Sequence, residues 1–133
     1  MVILGIDYGL KHIGLALASG PLADPLANLQ VTPNIYEQIR QICQKQNVER
    51  IVVGISEGKM EENTRLFAKK LEQITQIPVD FQDETLSSHQ VIEKLVEAKS
   101  KRSKRKSSEH MFAATLILQE FLDQDKTEKV IER

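Results

Sequence analysis

Apolar residues follow two rhythms along the chain, and the switch between them lays out the elements. Val2, Ile3, Leu4 and Ile6 form a short run rich in β-branched residues that predicts a buried strand, ended by Asp7. Gly9 marks a turn, and a second apolar run from Ile13 to Ala18 follows at hairpin spacing. Residues 20–28 hold two of the four prolines and predict a loop, with a short third strand over 29–32. From about Asn34 the period lengthens. Ile35, Ile39, Ile42 and Cys43 share one helical face, with Asn34 as the expected cap after Pro33. Glu49 to Ile55 is nearly continuous in apolar residues, the pattern of a strand covered on both faces. After a loop at 56–59, Met60, Thr64, Phe67, Leu71 and Ile74 mark a second helix. Ile77 to Phe81 predicts a strand interrupted by Pro78 and leading into Asp83 and Glu84. Val91, Ile92, Leu95 and Val96 place a third helix over about 87–99. Ser107 or Ser108 is the expected cap of a last helix through Met111, Ala114, Leu118, Phe121 and Leu122, with a polar tail fraying from Gln124.

Hairpin strands followed by alternating helix and strand imply an α/β fold, a mixed sheet with helices on its faces. No internal repeat or long linker divides the chain, so residues 1–133 are expected to form a single domain. Composition agrees, with 41% hydrophobic and 28% charged residues, ordinary for a water-soluble protein. The single cysteine, Cys43, excludes an internal disulfide and fits a reducing cytoplasmic setting, where its helical position points to packing. No apolar run approaches the roughly 18 residues of a membrane span, and no signal-peptide pattern opens the chain. Net charge is −1, so any attraction to nucleic acid has to be local.

One such local feature is the run KSKRSKRK at 99–106, with six Lys or Arg in eight positions. It reads either as a solvated loop or as a phosphate-binding arm, and its place just before the last helix favours the arm. Acidic residues offer a second clue. Asp7 follows the first apolar run, Asp83 and Glu84 follow a later strand, and Glu109 and His110 open the last helix. In mixed sheets, functional groups gather at strand ends and nearby helix N-termini. Asp7 could simply cap its turn, and Asp83 and Glu84 could be solvated turn residues. Brought together, however, these carboxylates would repel one another unless a divalent cation held them, and oxygen ligands favour Mg2+ or Mn2+. Two such ions roughly 4 Å apart can activate water and stabilise the leaving oxygen of a phosphodiester. Ser87 and Ser88 lack a partnered His and Asp arrangement, which argues against a serine nucleophile, and His89 falls within a predicted amphipathic helix.

The segments GIDYGLKHIGLALA, IVVGI, DETLSS and AATLILQEFLD, in that order over about residues 2–123, resemble the YqgF/RuvX family. These are small RNase H-like proteins related to the RuvC Holliday-junction resolvases, described as pre-16S rRNA nucleases and as Holliday-junction resolvases. The resemblance implies an RNase H-like (ribonuclease H-like) mixed five-stranded sheet with helices on both faces. It also implies a divalent metal and phosphodiester hydrolysis in RNA or DNA, with precursor 16S rRNA the leading substrate. Asp7 matches the family's first acidic residue, and Glu84, ahead of Asp83, its second. Thr85 and His12 stand where arginine is usual, while Lys11 keeps a positive charge in the first turn. The third acid, an aspartate four residues before the second alanine of the Ala113–Ala114 pair, is replaced by His110. The expected catalytic set is therefore Asp7, Glu84 and His110, with Glu109 an alternative metal ligand. Lys11, Lys101, Arg102, Lys104 and Arg105 are the expected contacts to nucleic acid. Loss of the aspartate leaves a second expectation open, a nucleic-acid-binding or ribosome-assembly factor that has lost catalysis. A sugar-kinase or actin-like nucleotide module shares the opening Asp-x-Gly hairpin, but the chain is too short for two lobes.

Overall fold

The computed structural model describes residues 1–83 and 102–132, with side chains of the last helix described over 109–124. Strand β1 (Ile3–Tyr8), β2 (His12–Ala18) and β3 (Asp24–Gln30) come first, followed by helix α1 (Ile35–Gln46) and β4 (Arg50–Ile55). Helix α2 (Glu61–Thr75), β5 (Val79–Asp83) and α3 (Arg102–Glu132) complete the described order. The strands form one sheet in the order β3-β2-β1-β4-β5. The first three are antiparallel neighbours, whereas β1, β4 and β5 are parallel. The C-terminal ends of those parallel strands therefore share one edge of the sheet.

Strand alternation divides the apolar residues between two faces. Leu4, Ile6, Ile13, Leu15, Ile51 and Val53 pack on one side with Ile35, Ile39 and Cys43 of α1 and Phe67 and Leu71 of α2. Ile3, Ala16, Ala18 and Val52 pack on the other with Ala114, Ile117 and Leu118 of α3. The unbroken apolar run of β4 follows from this, since Val52 and Val53 each have a helix-covered face to fill. Full burial of residues such as Leu4, Ile39, Leu71 and Leu118 is worth about 1.5–3 kcal/mol each. Cys43 belongs to this packing, and burial pushes its thiol pKa up to about 11. Helices α1 and α2 stop at Asn47 and Gln76, both left-handed, at φ 57° and 61°.

Four expectations are corrected. The first strand does not end before Asp7 but carries it, running on to Tyr8. The third strand is Asp24–Gln30, within the segment expected to be a loop, and it tolerates Pro25 because it is an edge strand with a register shift opposite Leu15 and Ala16. The side chain of Asn34 makes no capping hydrogen bond to α1; instead its own N–H donates to Thr32 Oγ1 at 3.3 Å. The last helix begins at Arg102, inside the basic run rather than after it, and continues to Glu132 instead of fraying from Gln124. Lys, Arg and Glu are good helix formers, so a highly charged run can be helical as readily as looped. The predicted helix over 87–99, together with Glu84, Thr85, His89 and Lys101, lies outside the described residues.

Candidate active site

The site begins with a choice of small residues. Ile3, Gly5 and Asp7 of β1 face α3, as do Gly14, Ala16 and Ala18 of β2. Asp7 and Gly14 are direct partners across the β1–β2 ladder. A Cβ at Gly14 would fall 2.0 Å from the carbonyl carbon and oxygen of His110, and one at Gly5 would fall 2.7 Å from Leu118 Cβ. Helix α3 thus rests directly on the backbone of the two strands, a distance no side chain at these positions would permit. Ala113 and Ala114 on the helix continue the close fit. Gln119 fastens the far end, accepting from the Ala23 N–H at 2.9 Å and donating to the Pro21 carbonyl at 3.0 Å.

This seating brings together residues 103 apart in sequence. His110 Nδ1 lies 2.6 Å from Asp7 Oδ2, with the side chains 33% and 14% exposed respectively. An ionised carboxylate only accepts hydrogen bonds, so the Nδ1 proton makes this contact and a neutral ring keeps its lone pair on Nε2. The β1–β2 turn closes around that ring. A Cβ at Gly9 would lie 2.8 Å from His110 Cε1, and the His12 ring centroid is 6.4 Å from that of His110. In the sequence His12 stands out only as a departure from the usual arginine, and its spacing from Asp7 does not indicate its approach to His110.

Of the other expected site residues, Glu109 is exposed beside His110, and Lys11 is exposed in the turn next to His12. Arg102, Lys104 and Arg105 lie in the opening turns of α3 by their backbone. Asp83 ends β5 on the same edge of the sheet, opposite Ile55 of β4, and Glu84 comes next in the sequence. Among the described residues no third His, Cys, Asp or Glu joins Asp7 and His110 as a ready metal cluster. The pair nevertheless offers Asp7 Oδ1 and His110 Nε2 as donors of kinds suited to a divalent cation, with Nε2 pointing away from the carboxylate that orients its ring through Nδ1.

A family model described as RuvX, Holliday junction resolvase, matches residues 1–124. The chain belongs to the RuvX family. Curated relatives agree: a Streptococcus uberis protein named "Putative pre-16S rRNA nuclease" is 34% identical, covering 92% of this chain and 98% of its own length. A protein of that name from Caldanaerobacter subterraneus is 35% identical over 95% of this chain and 99% of its own. Among solved structures, Thermus thermophilus RuvC bound to a Holliday junction superposes with a TM-score of 0.57 at 17% identity, over 88% of this chain and 91% of that one. The fowlpox virus resolvase bound to junction DNA gives 0.60 at 12% identity, over 93% and 98%. At such identities these likenesses establish the fold alone, and it is the RNase H-like fold of this RuvX-family chain. No helix among the described residues is long and apolar enough to cross a membrane.

Proposed function

We propose that this RuvX-family chain is a metal-dependent nuclease that hydrolyses phosphodiester bonds in structured nucleic acid, and that its task is 5′-end processing of precursor 16S rRNA in the cytoplasm. The observation that carries the reading is the Asp7–His110 pair, assembled at a sheet edge from the first strand and the last helix. Asp7, Glu84 and His110 would hold Mg2+ or Mn2+, with His110 rather than the exposed Glu109 in the third position. When bound, the cation supplies positive charge against the phosphate and its departing oxygen. The chain's own contribution is placement. Asp7 orients the imidazole through Nδ1, the β1–β2 turn packs against the ring, and Lys11 with the basic residues 101–105 hold the phosphate backbone.

The family model's description favours a second reading, cleavage of branched DNA, which uses the same residues. A cleavage assay decides between them. Single-stranded RNA, precursor 16S rRNA fragments and four-way DNA junctions are offered with Mn2+, with Mg2+ or with EDTA. Metal-dependent cutting of the rRNA fragments in preference to junctions is the expected result. Preference for junctions selects the resolvase, and no cutting under any condition selects a binding protein built on a lapsed nuclease.

A further inference from the structure

Strand β1 leaves the sheet with Asp7 facing α3 and Tyr8 facing the opposite side, where a second recess opens at the same edge. Its floor is aromatic. Tyr8 stacks on Phe67 with centroids 4.4 Å apart, and Tyr36 leans on Phe67 at 5.6 Å. Around this floor stand Asn63 and Leu66, the latter 60% exposed, and the ammonium of Lys70 lies 4.6 Å from the Tyr36 ring centroid. Lys69 and Gln73 complete the wall of a recess of about 450 Å³. That volume falls in the range of small-ligand sites. Flat apolar rings, side-chain amides and ammonium groups are the three components that take a nucleobase with its phosphate. The topology sets the place: Tyr8 ends β1, Tyr36 lies in the first turn of α1, and Asn63 lies in the first turn of α2 just beyond β4. Burial and the neighbouring Tyr8 raise the Tyr36 phenol pKa, as expected of two phenols sharing a partly dry surface.

We propose that this recess binds an unpaired nucleotide of the substrate strand, beside the phosphodiester held at Asp7 and His110. The base lies against the half-buried rings of Tyr8 and Tyr36, which rest on the buried ring of Phe67, and Lys69 and Lys70 meet the adjoining phosphate. The inference rests on the nuclease reading and adds a requirement to it: the strand is single next to the cut, because a paired base has no free face to offer the recess. Asp7 and Tyr8 are consecutive at the end of β1 and face opposite sides of the sheet, so a strand that wraps over that end meets both.

The test is binding by the full chain carrying Asp7→Asn, which removes cutting from the measurement. The probes are a short oligonucleotide containing 2-aminopurine and its fully paired duplex. Expected are quenching of 2-aminopurine on the single strand and its loss in Tyr36→Leu, with affinity for the single strand lower by about tenfold. Tyr36→Phe should restore both, and exposed Lys70→Gln, which leaves the ring floor intact, should weaken the single strand while leaving the duplex unchanged. Single-strand affinity equal to the parent in both Tyr36→Leu and Lys70→Gln overturns the recess, as does an equal loss on strand and duplex. If Tyr36→Leu does not fold, Lys70→Gln alone decides. A parent that binds neither probe overturns the recess alone if the wild type still cuts rRNA fragments or junctions, and sinks the nuclease reading as well if the wild type cuts nothing, which separates the two failures.

Discussion

Asp7 is held inside a strand with one carboxylate oxygen on His110, so its charge rather than its shape is the feature worth removing. Asp7→Asn keeps an acceptor for the Nδ1 proton but loses the negative charge proposed to hold the metal. Cleavage should be abolished, while stability, read by thermal unfolding, changes by about 1 kcal/mol or less. A purified Asp7→Asn protein that cuts as fast as the wild type rejects the assignment. His110 carries a sharper expectation, because imidazole is a softer donor than the carboxylate usual at this position. Mg2+ prefers oxygen ligands and dehydrates reluctantly, whereas Mn2+ accepts nitrogen more readily. Wild-type activity should therefore be greater with Mn2+ than with Mg2+, and His110→Asp should narrow or reverse that ratio. His110→Ala should cut activity sharply and Glu109→Gln only mildly. The opposite ranking would hand the third ligand to Glu109. Equal rates in all three proteins would leave neither residue a role, and a general-base role for His110 would show as activity lost in His110→Asp with both metals.

At the scale of elements, the site depends on how close α3 can come to β1 and β2. Gly14→Ala would drive a methyl group into the backbone at His110 and Met111, the former at 2.0 Å. The helix must then shift, at a cost of about 1–3 kcal/mol, and carry His110 away from Asp7. Activity should fall further than stability predicts, which is checked by comparing kcat at a temperature where the variant is fully folded. Retained kcat would show that the helix can move without disturbing the pair. Much of this architecture is legible in the residues: the two-beat and longer periods locate the strands and the two apolar-faced helices. Strand β3 escapes because an edge strand exposes its outer rim and admits Pro25, which erases the alternation that marks inner strands. The start of α3 escapes because charge suggests solvent without choosing between coil and helix. Spacing alone does not pair Asp7 with His110. The motif resemblance proposes that pairing, and its physical cause, Gly14 opposite Asp7 in the ladder, requires the register to be seen.

Over the whole molecule, charge is divided unevenly. The chain carries 18 Lys and Arg against 19 Asp and Glu, and six of the positive charges stand at 99–106; the remainder alone would have a net charge of −7. Such a body repels a polyanion, so most of the attraction is expected at the basic run, whose helical part opens α3 eight residues before His110. On the proposed reading the run and the site are coupled through one helix, and a strand drawn to the run would be delivered to the Asp7 edge. Replacing Lys101, Arg102, Lys104 and Arg105 with alanine should weaken binding to all sequences alike, because phosphate contacts carry no base information. Each lost contact removes one released counterion, so the slope of log affinity against log salt should flatten by up to about three for a single strand. Filter binding of RNA across a salt series measures both quantities. Affinity and slope equal to those of the parent would return the run to the role of a solvated helix end. A loss confined to one sequence would mean that these side chains read bases instead of the backbone.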